Sequence, residues 1–448
     1  MPVVAIAPKT KKQHPVFEAE NSNDLQREDA AFHQWYRFVL SYPPHLVRKY
    51  LEMFGVKPGQ SVLDPFCGTG TTLVECRKHG VGSVGVEAHP HAALVSRVKT
   101  NWKLNTKRLA ATANVILQKA EAELKKLGLE KQSLMADMVF EQALAYGGLT
   151  ADEQKLIPEG FLSPKPLLRL LAVRHNLRLA TDEQPSEYRD FFYVALSHVI
   201  ANGAGNFAFG PEIYRTKAKP DYDVTGHFAI HVHAMLADLE HAQSVSATWA
   251  DAIVITGDAR TMEGMSANSC HAVITSPPYP NEKDYTRISR VESVLLGLMT
   301  DRAQLRQVKE MLLRSNTRNV FVADDDSGWV ADNREINSIC TEIERRRIAM
   351  GKDSGFEKLY HKVVAHYFGG MARHFDALHA KLKRGARCGY VVGDQLSFLL
   401  VPIPTAKLLG DIAESHGFRL EGIDLWRTRL ATKSGTRVRE EVMILRRD

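Results

Sequence analysis

The chain has 448 residues, 44% of them hydrophobic and 25% charged, with a formal net charge of +6. That length exceeds one ordinary hydrophobic core, so a core domain with a large insertion or second lobe is expected. No apolar run approaches the ~20 residues needed to cross a bilayer, and Met1–Lys9 lacks the apolar stretch and charge order of a secretory signal. The cytoplasm is therefore the expected compartment, with no membrane partner. Cys67, Cys76, Cys270, Cys340 and Cys388 are scattered without a CxxC pair, as in reduced, mostly buried thiols rather than a disulfide frame or zinc ribbon. The mild positive charge permits a polyanionic partner without establishing one.

Residues 1–31 read as an N-terminal arm, polar and Lys-rich at first. From Phe32 to Phe54 apolar residues recur largely at helical spacing, and Gly55–Gly59 ends the run. Two short parallel-type strands, Ser61–Pro65 and Ser83–Glu87, flank a helix at Thr71–Lys78. Residues 32–105 thus form the first part of a core. Residues 106–245 read as a helical insertion, broken at Gly147-Gly148, Pro158–Pro166 and Gly203–Pro220. A core segment, 246–285, carries strands at Ala252–Thr256 and His271–Thr275. Residues 286–357 are a second, Arg-rich excursion. Residues 358–448 complete the core with a helix ending at Leu382, a strand at Cys388–Gly393, a helix framed by Thr405 and Gly417, and strands at Arg419–Trp426 and Glu440–Leu445. The pattern predicts an α/β fold, a doubly wound, seven-stranded, mostly parallel sheet ending in an antiparallel hairpin. Ligands of such sheets sit beyond the carboxyl ends of the strands.

Two motifs fall at such ends. In Asp64-Pro65-Phe66-Cys67-Gly68-Thr69-Gly70-Thr71-Thr72, the glycines allow a sharp strand-to-helix turn and close backbone approach to a ligand. Asp64 can meet a ligand ammonium, while Thr71 and Thr72 suit a carboxylate at a helix N-terminus. Glu87 ends the next strand, where an acid binds ribose hydroxyls, and Asp258 ends the third, within reach of an adenine amine. No Lys follows the glycines, which disfavours a phosphate loop; a purely structural Gly turn is the bland alternative. The second motif, Ser276-Pro277-Pro278-Tyr279, reads as a pocket for a planar amino group. Ser276 Oγ and the Pro277 carbonyl are candidate acceptors, successive prolines stiffen the backbone, and Tyr279 offers a stacking face. Its bland alternative is a polyproline loop.

The stretch DPFCGTGTTLVEC resembles the cofactor motif of the amino-group (N4-cytosine and N6-adenine) DNA methyltransferases, and SPPY resembles their catalytic motif. Ser41–Gly59 is similar to the segment that leads into the family's cofactor strand. The resemblance covers roughly residues 32–105 and 250–448. It implies a class I, Rossmann-like methyltransferase fold that binds S-adenosylmethionine through Asp64, Pro65, Phe66, Cys67, Gly68, Gly70, Thr71, Thr72, Glu87 and Asp258. Catalysis would rest on Ser276, Pro277, Pro278 and Tyr279, acting on a flipped base in double-stranded DNA, in a nucleoid-associated enzyme with a cognate restriction endonuclease as a further partner. Ser in the first motif position resembles the cytosine-N4 enzymes. N6-adenine methylation, methylation of an RNA base amine and a non-catalytic nucleic-acid-binding module are the alternatives. Residues 286–357 are the first candidate for sequence recognition, ahead of the helical insertion with its Asn206–Glu212 segment. Arg427, Arg429, Lys433, Arg437 and Arg439, assigned to the loop of the terminal hairpin, form either a DNA phosphate clamp or a solvated basic loop. His227, His231 and His233 lack partners that would complete a metal set, so no metal is expected.

Overall fold

The computed structural model describes residues 23–129, 148–210, 212–246, 249–281, 283–430 and 435–448. Most of the expected arm, Gly147, Pro211 and Lys433 lie outside these. The strands are β1 (Ser61–Asp64), β2 (Gly82–Glu87), β3 (Phe207–Phe209), β4 (Ile213–Arg215), β5 (Ala252–Thr256), β6 (Cys270–Thr275), β7 (Leu382–Gly393), β8 (Phe418–Leu430) and β9 (Arg437–Arg447). Seven form one sheet in the order β5-β2-β1-β6-β7-β9-β8. All neighbours are parallel except at β9, which runs antiparallel to both β7 and β8. This is the predicted α/β sheet of a class I methyltransferase fold. Beside β1 the order reverses: β2 lies on one flank and β6 on the other, with Val62 opposite Ala272 and Leu63 opposite Val273. The crevice of an open α/β sheet forms at that point.

The main helices are α1 (Pro44–Met53), α2 (Thr71–Lys78), α3 (Pro90–Thr100), α4 (Thr106–Lys126), α5 (Pro164–Thr181), α6 (Ser186–Val199), α7 (Val224–Val245), α8 (Arg302–Met311), α9 (Arg334–Ala349), α10 (Tyr360–Lys381) and α11 (Thr405–Glu414). One face of the sheet packs on α10 and α11 through Val364, Phe368, Met371, Phe375 and Leu409. The other face packs on α1 through Leu46, Val47 and Tyr50. The helices of the 106–245 segment bury a separate cluster, which takes in Trp35, Phe191, Phe192 and Phe228. None of the described helices is long and apolar enough to cross a membrane.

Two expectations need correction. The helical run from Phe32 to Phe54 is not continuous. Phe32 has φ +65°, and only Pro44–Met53 forms a regular helix, because Pro44 occupies the first helical position and the residue before it is extended. The basic terminal loop is also smaller than expected. β8 and β9 run on past the predicted ends, so Arg427 and Arg429 sit on one strand, opposite Glu440 and Val438, and Arg437 and Arg439 on the other, opposite Leu430 and Thr428. β8 is an edge strand on which Leu425 and Leu430 are exposed while Arg427 and Arg429 are partly buried, which inverts the usual apolar-in alternation.

Candidate active site

The first motif is built as a strand, a tight loop and a helix. Gly68 (φ +50°) and Gly70 (φ +86°) take backbone conformations that L side chains avoid. A Cβ on Gly70 would come 2.6 Å from Ser96 Oγ, and one on Gly85 would come 2.7 Å from Cys67 Sγ. These glycines let the loop lie flat between β2 and α3. Cys67 is itself buried, and burial pushes its thiol well up, as befits a packing residue rather than a nucleophile.

Asp64 is fully buried beneath this loop. Its Oδ1 accepts from Thr275 Oγ1 at 2.6 Å and from the Phe66 amide at 3.2 Å. Its Oδ2 accepts from the Tyr42 hydroxyl at 3.0 Å. Tyr42 also bonds Thr72 Oγ1, which donates onward to the Ile274 carbonyl at 3.1 Å. Burial outweighs these donors and raises the Asp64 carboxyl to about 6. Both motifs therefore share one hydrogen-bonded anchor. Glu87 ties the next strand to the loop, accepting from the Gly68 amide at 2.8 Å and the His89 amide at 2.7 Å. Its carboxyl is lifted to about 7, again by burial.

A cavity of about 660 Å³ opens at these strand ends. Pro65, Phe66, Cys67, Gly68, Thr71 and Glu87 line one part of it, and Ser276, Pro277, Pro278 and Tyr279 line another. The two motifs thus face one space of the size small-molecule sites occupy. Asp64, Gly70, Thr72 and Asp258 do not line it; the first three build the loop from beneath. Asp258 is engaged by Arg260, which donates to Oδ1 and Oδ2 through Nε at 3.0 Å each and reaches Oδ2 with Nη2 at 2.6 Å. Beside it, the Ala259 carbonyl is held by His374 Nδ1 at 2.7 Å, and Ala259 does line the cavity. Burial keeps His374 neutral, with its pKa lowered to about 4, so a neutral imidazole donates here.

Ser276 Oγ donates its proton to the Val391 carbonyl at 3.0 Å, which leaves its lone pairs for a further donor. The Tyr279 ring lies over Gly393, where an added Cβ would come 3.1 Å from Cε2. Burial first, and the nearby Glu440 charge second, hold its phenol above the ordinary range.

Of the proposed basic residues, Arg427 and Arg429 line the cavity and share the carboxylate of buried Glu440; Arg429 Nε stands 3.3 Å from Oε1. Arg427 also stacks on Trp426, 4.4 Å from the ring centroid. Arg439 pairs with Glu441 at 2.7 Å, and Arg437 donates to Thr428 Oγ1 at 3.1 Å. In the second excursion most cations are likewise neutralised: Arg314 by Asp324, Lys309 by Asp284, Arg345 and Arg346 by Glu342, and Arg347 by Glu344. Asn206 does not reach the cavity; it knits the insertion, donating to Ser163 Oγ at 2.9 Å, whereas Glu212 is on the cavity wall. His231 bonds the Trp35 carbonyl at 2.8 Å and His227 the Asp223 carbonyl at 2.7 Å.

Sequence reasoning missed Tyr42, Arg260, His374 and Glu440. Tyr42 carried a signal, since it stands immediately before Pro43-Pro44 in the segment leading to β1. Arg260 lies two residues beyond Asp258, the spacing of a local side-chain clamp. Nothing local marked His374 or Glu440, whose roles arise from tertiary packing.

The sheet has the class I methyltransferase fold, with a glycine bend and the Ser276–Tyr279 tetrapeptide facing one cavity at its switch point. A family model described as DNA methylase, of the N6/N4 kind, matches residues 6–97. The chain is 22% identical over 416 residues to the type II methyltransferase M.BsoBI of Geobacillus stearothermophilus, covering 88% of this chain and 79% of that one. It is 22% identical over 410 residues to the type II methyltransferase M.AvaI of Nostoc, covering 87% and 80%. It is 33% identical over 100 residues to the type II methyltransferase M.MjaII of Methanocaldococcus jannaschii, covering 22% and 18%. The chain is therefore similar to the amino-group DNA methyltransferases, enzymes whose methyl donor is S-adenosylmethionine and whose substrate is DNA.

Proposed function

We propose that the protein methylates cytosine N4 in double-stranded DNA, on a base extruded from a short recognition sequence. The observation that carries this reading is the shared cavity, with Ser276 heading the tetrapeptide. The residues present fit S-adenosylmethionine: Glu87 lies where ribose hydroxyls would bond, and the Gly68–Thr71 bend leaves room for close backbone approach. When bound, the cofactor supplies a sulfonium-activated methyl group.

The chain's own task is to make a poor nucleophile reactive. An exocyclic amine shares its lone pair with the ring. Two acceptors on its N–H bonds draw the nitrogen towards tetrahedral geometry and return that pair to it. Ser276 Oγ, its own proton already given to Val391, is one acceptor, and the Pro277 carbonyl is the other. Tyr279 stacks on the base from its seat on Gly393. The proton released after transfer leaves through the acceptors to solvent. Arg427 and Arg429, held by Glu440 at the cavity wall, take the phosphates beside the extruded nucleotide. A cognate restriction endonuclease is the proposed cellular partner, in line with the type II names of the relatives.

Incubating DNA with the protein and methyl-labelled S-adenosylmethionine, then digesting to nucleosides, tests the base assignment by mass spectrometry. Labelled N4-methylcytosine supports it; labelled N6-methyladenine replaces it with the adenine reading.

A further inference from the structure

The loop from Gln395 to Ile403 leaves β7 beside the proposed base pocket, and its ends meet in an isolated bridge between Gln395 and Ile403. Inside it, Leu399 (φ +54°) and Leu400 (φ +60°) take the left-handed conformation in succession, which branched apolar residues rarely adopt. Arg346, from α9, donates to both of their carbonyls, to Leu399 at 3.1 Å and to Leu400 at 3.0 Å. Leu399 packs against the core. Leu400 stands out, 45% exposed, on the wall of the cavity that also holds Ser276, Tyr279, Arg427 and Arg429. The loop's base is stitched to the basic hairpin: Arg429 donates to the Asp394 carbonyl at 2.9 Å, and the Asp394 amide donates to the Arg439 carbonyl at 2.9 Å.

The strained pair buries Leu399 and is held by Arg346, which also pairs with Glu342, but packing gives no account of why Leu400 is turned out to solvent. An apolar side chain between a base pocket and phosphate-binding arginines does have a use in extrusion. When a base leaves the stack, the duplex loses stacking and pairing at that step, and an apolar wedge entering the vacancy offsets the loss. We propose that Leu400 is that wedge, occupying the gap left in the duplex by the extruded nucleotide, with Arg346 as the positioning residue that keeps it erect. This rests on the methyltransferase reading of the cavity and adds the residue that opens the duplex.

The test compares Leu400→Ala and Leu400→Asn with the wild type on two duplexes, one with a normally paired target base and one with that base mismatched. Asn tolerates the left-handed backbone, so it removes the apolar chain without disturbing the loop. The paired duplex should show kcat/KM lowered roughly tenfold in both variants, because they must meet the extrusion cost unaided. The mismatched duplex, whose base opens easily, should bring both within about twofold of wild type. Fluorescence of 2-aminopurine at the target position should rise on binding of wild type and rise less with either variant. Equal losses on both duplexes would overturn the wedge and leave Leu400 as a lining residue. Inactivity of wild type itself on both duplexes would instead count against the methyltransferase reading.

Discussion

Asp64→Asn should stabilise the ligand-free protein at pH 8 while weakening its hold on the cofactor. Asp64 is wholly buried, and its carboxyl is raised from an ordinary 3.8 to about 6. At about 1.4 kcal/mol per pKa unit, keeping the ionised form folded costs about 3 kcal/mol. The sign follows from proton linkage: a raised carboxyl contributes stability below pH 3.8 that is lost as the pH climbs through about 6. The Asn side chain does not titrate, and the local bonds accommodate it. Its oxygen keeps the Thr275 hydroxyl and Phe66 amide, and its NH₂ donates to the Tyr42 oxygen. Tyr42 in turn donates to Thr72, which already donates to Ile274. The variant should therefore match the wild type near pH 4, gain between pH 4 and 6, and lead by up to about 3 kcal/mol at pH 8. Urea titrations of both proteins across that range read the difference. A variant no more stable than wild type at pH 8 would refute the reasoning, since the buried charge would then cost nothing. On the proposed cofactor reading, a fixed negative charge under the loop would favour a cationic ligand above it. Calorimetry should accordingly show weaker S-adenosylmethionine binding by the more stable variant.

Three further outcomes follow from other contacts. Ser276→Ala should lower kcat about 10²-fold with the KM for S-adenosylmethionine little changed, because it would remove the acceptor proposed to act in the transition state; steady-state kinetics with both substrates varied will show it. Arg260→Met removes the cation shared by buried Asp326 and half-buried Asp258, leaving Asp326 only Arg373 at 3.5 Å, and should destabilise the fold by about 3 kcal/mol, read by chemical denaturation. Gly70→Ala forces a Cβ against Ser96 at a φ of +86° and should cost about 2 kcal/mol, with cofactor binding lost alongside.

What could be read from the sequence follows the range of the interactions involved. The sheet strands were legible because buried parallel strands are short apolar runs whose ends carry distinctive residues, as in Val62-Leu63-Asp64 and Ile274-Thr275-Ser276. The glycine bend declared itself for the same local reason. Phe32–Phe54 misled because helical spacing of apolar residues says nothing of whether Pro43-Pro44 will restart the chain. The arginines of the terminal hairpin read as a loop because Arg427 and Arg429 face the cavity while Leu425 and Leu430 are exposed, the reverse of the alternation that marks a strand. The partners that decide what those arginines do, Glu440 and Asp394, meet them only through strand pairing and the fold of the β7 end. The Asp258 carboxylate was assigned to a ligand because its clamp by Arg260 lies outside strand-end pattern logic, and the buried third member, Asp326, is 66 residues away from Arg260.

The central claim is that one cavity brings a methyl donor and a base amine together on the Gly68–Thr71 bend and the Ser276–Tyr279 tetrapeptide. Quantifying methylated nucleosides after reaction of duplex DNA with wild type and Ser276→Ala, using deuterated-methyl S-adenosylmethionine, tests it most directly. The account predicts deuterated N4-methylcytosine with wild type and about a hundredfold less with the variant. Label found at a ring carbon, or an equal yield from both proteins, would contradict it.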